Sequence, residues 1–192
     1  MYRKILLLNL CIFIVGCSRW QMKDEIKSFL GKTVCFPNNL IAVHNGIALS
    51  DSLISDGGCP IKLVLYFSAN RCTPCVIGKF RDYEKIFKME VENQFSPLII
   101  LSTKEEKYEY KTLVSELVIR SLPYPVYVDR YNEFQQLNTC LPSDSRFHTF
   151  LLDKNNKVAL IGNPLNGDAM WNLFKSTLEN MLAHDGEYVP EN

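Results

Sequence analysis

The sequence predicts an α/β fold, a mixed sheet flanked by helices with a hairpin ahead of its central strand. Three observations carry this. Apolar runs of strand length (Ile61–Phe67, Pro97–Leu101, Tyr124–Val128) alternate with segments whose apolar residues recur at helical spacing. That alternation gives parallel strands joined by right-handed crossovers. Two later runs, Thr149–Asp153 and Lys157–Ile161, flank Asn155-Asn156 and read as a closing hairpin, which makes the sheet mixed. The pair Cys72 and Cys75 stands just after the first run, where a helix opens.

The 192 residues divide into an export segment at 1–16, a tether with a helix and hairpin at 17–60, one domain at 61–184 and a tail at 185–192. Arg3 and Lys4 precede an apolar stretch, Ile5–Val15, too short to span a membrane and of signal-peptide form. Ile14-Val15-Gly16-Cys17 resembles a bacterial lipobox, which implies that Cys17 is lipidated, becomes the mature N-terminus and anchors the protein to a membrane. Ser18 is compatible with sorting to the outer membrane, on the periplasmic side of the cell envelope. A formal charge of zero supplies no basic surface for nucleic acid. Outside the cytoplasm disulfides persist. Of the 7 cysteines, Cys11 leaves with the signal and Cys17 carries lipid, so an odd number remains. Cys35 and Cys59 either bridge or lie buried as small hydrophobes.

Asp24 is placed to cap a helix whose Ile26, Phe29 and Leu30 share a face and which ends at Gly31. Thr33–Phe36 reads as a short strand stopped by Pro37, and Asn45-Gly46 joins the hairpin strands Leu40–Val43 and Ile47–Leu49, leaving His44 exposed. After Cys75, Phe80, Tyr83 and Phe87 predict one helix to about Asn93. Thr103–Glu106 has the capping-box pattern ahead of a helix buried through Tyr110, Leu113, Val114, Leu117 and Val118. A short helix is expected over Asp129–Leu137. The last, about Asp168–Leu182, buries Met170, Leu173, Phe174, Leu178 and Met181, and the tail after it is expected to be mobile.

Strand, Cys72-Thr73-Pro74-Cys75, then helix puts Cys72 at a helix N-terminus, where unpaired N–H groups favour a thiolate. Cys75, one turn on, is in reach to resolve a mixed disulfide. The same spacing also serves a structural disulfide or half of a zinc site. Zinc needs about four ligands, and Cys140 and His148 lack a paired spacing. The pattern calls for no metal and no cofactor.

From Ile61 to about Leu182 these residues resemble the thioredoxin fold, and within it the membrane-tethered extracytoplasmic disulfide reductases of the TlpA type. Pro125-Val-Tyr-Val-Asp129 resembles the β–α insertion of that family and of peroxiredoxins. The resemblance implies a redox pair Cys72 and Cys75 within a loop of Arg71, Thr73, Pro74 and Phe147, exchanging electrons with protein thiols and disulfides. A membrane electron donor would regenerate it.

Three positions depart from the family pattern. Phe147 stands where the family carries a cis-proline, which predicts a trans Arg146–Phe147 peptide. Tyr66 replaces a buried carboxylate six positions before the first cysteine, and Arg71 replaces a tryptophan. These departures leave open a non-catalytic binding lipoprotein with a structural Cys72–Cys75 disulfide. A peroxidase reading lacks the expected threonine and proline before Cys72.

Overall fold

The computed structural model describes residues 20, 22–52, 54, 59–69, 73–91, 94–103 and 109–190, with backbone alone at 51, 52, 73–75 and 109. The expected signal segment, Cys17, Arg71, Cys72 and the Lys104–Glu106 part of the capping box lie outside the described residues.

Among the described residues, seven strands form one sheet in the order β2-β1-β5-β4-β3-β6-β7. The central strand β3 (Ile61–Phe67) is buried along its whole length. Side chains alternate across it, so Ile61, Leu63, Leu65 and Phe67 enter one core and Val64 and Tyr66 the other. It pairs in parallel with β4 (Phe95–Ser102), which pairs in parallel with β5 (Val126–Asp129). Both crossovers step the same way across the sheet, so right-handedness sends their helices to one face. That face carries Val76 and Ile77 of α2 (Thr73–Gly78), Leu113 and Leu117 of α4 (Glu109–Arg120), and Phe174, Leu178 and Met181 of α6 (Asp168–Ala183).

The opposite face is covered by Phe29 of α1 (residues 22–29) and Phe134 of α5 (Glu133–Leu137). Phe29 meets Phe150 edge to face at 5.1 Å. On the other side of β3, β6 (Thr149–Leu152) is antiparallel and continues into antiparallel β7 (Val158–Ile161). Parallel β3 and β4 joined through α2, then the β6–β7 hairpin and α6, make the fold thioredoxin-like. The hairpin of β1 (Leu40–His44) and β2 (Ile47–Ser52) extends the sheet beyond β5, and β5 with α5 is the β–α insertion. Asn45 and Gly46 both have positive φ, which the tight turn demands. Among the described residues no helix is long and apolar enough to cross a membrane.

Several expected elements are revised. The helix after Cys75 is not continuous: α2 ends at Gly78, a 3₁₀ turn spans Phe80–Tyr83, and α3 covers Glu84–Phe87. Phe80, Tyr83 and Ile86 recur every three residues and all are buried, and a 3₁₀ turn aligns that repeat better than an α-helix. Phe87 instead stacks on Tyr124, centroids 3.8 Å apart. Asp24 lies inside α1 rather than at its cap, and Leu30 is 44% exposed, so only Phe29 of the expected stripe is fully buried.

Thr33–Phe36 contributes a single bridge, Thr33 to Lys157, because the side-chain amide of Asn138 takes the backbone N–H and C=O of Cys35 at 2.8 Å each. Cys35 is exposed and does not bridge to Cys59, since Val34 takes the inward place in that extended segment. The segment expected to form a helix over Asp129–Leu137 splits, because the Asp129 carboxylate accepts from the N–H groups of Glu133 and Phe134 and starts α5 there. The tail folds back: Lys154 N–H donates to Gly186 O, Lys154 pairs with Glu187 at 3.2 Å, and Asn180 exchanges two hydrogen bonds with the Val189 backbone.

Phe29→Ala removes a wholly buried ring and should lower unfolding free energy by about 3–5 kcal/mol. Leu30→Ala, one residue on, should cost less than about 1 kcal/mol. Urea denaturation of the two variants checks the contrast.

Candidate functional site

The site forms where β3 delivers the chain to α2 at the centre of the sheet. β3 ends at Phe67, Ser68 and Ala69 lead out, and the first helical residue is Thr73. Next to this exit runs the segment before β6. Leu65 is paired with Thr149, and Tyr66 N–H donates to His148 O at 2.9 Å, so residues 145–148 lie beside the end of β3.

That neighbouring segment is a 3₁₀ turn, Ser145–Phe147, and among the described residues no peptide bond is cis, so Arg146–Phe147 is trans as expected. Three amide donors, those of Arg146, Phe147 and His148, are engaged internally. Arg146 N–H donates to the Asp144 carboxylate at 2.9 Å, Phe147 N–H to Asp144 O at 3.0 Å, and His148 N–H to Ser145 O at 3.3 Å. The Arg146 guanidinium closes the turn from outside, donating through Nε and Nη2 to the same Asp144 oxygen. These hydrogen bonds, from the guanidinium first and the backbone second, hold the Asp144 carboxyl below the usual carboxylate range. His148, buried at the end of the turn, donates from Nε2 to Pro142 O at 2.9 Å, which fixes that nitrogen as protonated.

Beneath the exit of β3, Tyr66 is buried, its ring packed on Phe134 and near His148. Its hydroxyl donates toward Asn132 Oδ1 at 3.2 Å, with Gln135 Oε1 at 3.4 Å. Burial is the main reason the phenol is pushed up to about 12; a hydrogen bond with Ser102 works against this and the charge of Asp129 adds to it. Tyr66 is thus a neutral donor at any physiological pH and cannot serve as a base. The buried carboxylate of this region is Asp129, at the end of β5, which sequence reasoning did not pick out as part of the site. It accepts from Ser102 Oγ at 2.7 Å and caps α5, so its oxygens are committed to holding the insertion in place. The available signal was an aspartate closing an apolar strand, the pattern that Asp153 repeats after β6.

Two clefts flank the turn. One, of about 320 Å³, lies toward α2 and is bordered by Phe67, Val76, Lys79, Arg146, Asn163 and Asn166. The other, of about 530 Å³, lies toward α5 and is bordered by Ser68, Gln135, Asn138, Pro142 and His148. Of the residues singled out in the sequence, Phe147 is half-buried in the turn between them, and the backbones of Thr73, Pro74 and Cys75 open α2. Arg71, Cys72 and the side chains of Thr73, Pro74 and Cys75 lie outside the described residues.

No protein-family model matches the chain, and no curated protein matches it in sequence. Solved structures do. A thioredoxin-like protein from Porphyromonas gingivalis is 17% identical, with 82% of this chain and 97% of that one covered and a TM-score of 0.44. A putative protein disulfide isomerase from Bacteroides thetaiotaomicron is 14% identical, covering 82% and 95%, TM-score 0.47. An exposed lipoprotein thioredoxin from Streptococcus pneumoniae is 16% identical, covering 72% and 97%, TM-score 0.43. The order and direction of the strands, rather than these scores, make the fold thioredoxin-like.

The raised Tyr66 pKa makes stability fall at alkaline pH. Between roughly pH 10 and 12 the native state keeps a proton that the unfolded chain releases, so unfolding free energy declines through that window, by an amount on the order of 2–3 kcal/mol. Urea unfolding at a series of pH values should show this slope, and Tyr66→Phe should make it shallower, the remainder coming from Tyr124 and Tyr127, whose phenols burial also pushes up.

Proposed function

We propose that the protein is a thiol–disulfide oxidoreductase of the cell envelope, held at a membrane by lipid on Cys17, that exchanges the Cys72–Cys75 dithiol or disulfide with protein thiols and disulfides. The observation that supports this most is the place of the motif in the fold. The chain passes from the end of β3 at Phe67 to the opening of α2 at Thr73, so Cys72 falls in the sequence just before the helix and the backbone of Cys75 lies in its first turn.

In the reducing direction, the Cys72 thiolate attacks one sulfur of a substrate disulfide, and the other substrate sulfur leaves as a thiolate. The Cys75 thiolate then attacks Cys72, forming the Cys72–Cys75 disulfide and releasing the second substrate thiol. The substrate gains two electrons and the dithiol loses two. A dithiol donor at the membrane would return the pair to its reduced form, and the oxidising direction is the same sequence reversed. Neither step draws on Tyr66, which stays protonated, so solvent carries the protons.

Cys72→Ser should reduce insulin disulfides no faster than the uncatalysed dithiol does, and Cys75→Ser should accumulate a mixed disulfide on Cys72 that mass spectrometry can read. Full insulin-reducing activity in Cys72→Ser would sink the redox reading. Separately, Cys17→Ser should move the protein from the membrane fraction to the soluble one.

A further inference from the structure

The turn beside the motif keeps three consecutive amide donors for itself. The N–H groups of Arg146, Phe147 and His148 all end within residues 144–148, one on the Asp144 side chain and two on backbone carbonyls. A segment that recognised an extended peptide by strand pairing would leave such donors open. Recognition at this edge of the motif therefore falls to side chains.

The side chains available differ on the two sides of the turn. The cleft toward α5 is bordered by neutral residues and His148. The cleft toward α2 has Val76, the residue after Cys75, in its wall, and its charged residues are both cationic, Lys79 and Arg146. Its volume, about 320 Å³, falls at the lower end of small-ligand pockets. Lys79 is exposed and makes no ion pair among the described residues. The nearby carboxylate, Asp144, is already spent on the turn and on Nε and Nη2 of Arg146. A guanidinium has five N–H donors, so Arg146 can hold Asp144 and still donate into the cleft.

We propose that this cleft selects disulfides carrying a carboxylate close to the sulfur, with Lys79 and Arg146 as the residues that read it. The inference rests on the redox reading above and names its substrate class. The carboxylate can belong to a low-molecular-weight disulfide or to an acidic residue beside a protein cysteine, and the two sources share the same chemistry at the cleft.

Three disulfides of similar size and different charge test it on the full-length protein: 3,3′-dithiodipropionate (anionic), bis(2-hydroxyethyl) disulfide (neutral) and cystamine (cationic). The expected order of kcat/KM is anionic, neutral, cationic. The anionic-to-neutral ratio should fall about fivefold in Lys79→Gln and again in Arg146→Gln, as loss of one exposed charge contact allows. The ratio should also shrink as salt is raised. A second arm uses cyclic disulfide peptides with Asp or Asn next to one cysteine. A preference in either arm that both variants weaken supports the cleft and identifies the source. Turnover of the neutral disulfide without charge preference, or a preference that both variants keep, overturns it. If none of the disulfides or peptides exchanges while insulin is still reduced, this inference alone fails; if insulin is not reduced either, the redox reading fails and takes this inference with it.

Discussion

The burial of β3 on both faces is the constraint on which the rest depends. A strand with every side chain inside must be flanked by paired strands and covered by helices above and below, because no face of it tolerates water. The parallel step to β4 and β5 lays α2 and α4 on one face, where α6 joins them after β7. The return through α5 to antiparallel β6 covers the other, with Phe134 and Phe29 against Val64, Tyr66 and Phe150. Once β3 is central, its carboxyl end is also the middle of the sheet edge. The chain must leave there through a short segment and start a helix; Cys72 closes that segment in the sequence and Cys75 lies in the first turn of α2.

The turn at 144–148 resolves a problem of hydrogen bonding at that same edge. Backbone next to the motif presents amide N–H groups that something must satisfy. Where the family resemblance implies proline, which lacks the donor, this chain keeps ordinary residues in trans and absorbs three donors in a 3₁₀ turn with Asp144 at its head. The result is a rim with those three donors satisfied from within. It carries the exposed guanidinium of Arg146 and the half-buried ring of Phe147.

The polar groups under the rim follow the same economy. Tyr66 stands where the resemblance implies a carboxylate, and burial keeps its phenol neutral. The charge in the neighbourhood is Asp129, one strand further out, and it is tied to Ser102 and to the first turn of α5. A committed carboxylate positions the insertion, while the space beneath the motif is filled by Tyr66, Phe134 and the His148 ring.

Patterns of neighbours in the chain already specify the strands, their alternation with helices, the hairpin at Asn45-Gly46, the exposed His44 and the trans peptide before Phe147. Each depends on local preferences: apolar periodicity, turn chemistry and the cost of a cis bond without proline. The breaks in the helix after Cys75 depended on contacts instead. Phe80, Tyr83 and Ile86 had to meet one core, and Phe87 had to meet Tyr124 some forty residues away. Likewise, Asn138 ends the strand expected at Thr33–Phe36, Asp129 starts α5, and Asp144 closes the rim. Those outcomes rest on one or two hydrogen bonds between the backbone and a side chain whose reach only the folded chain defines, and periodicity carries no trace of them.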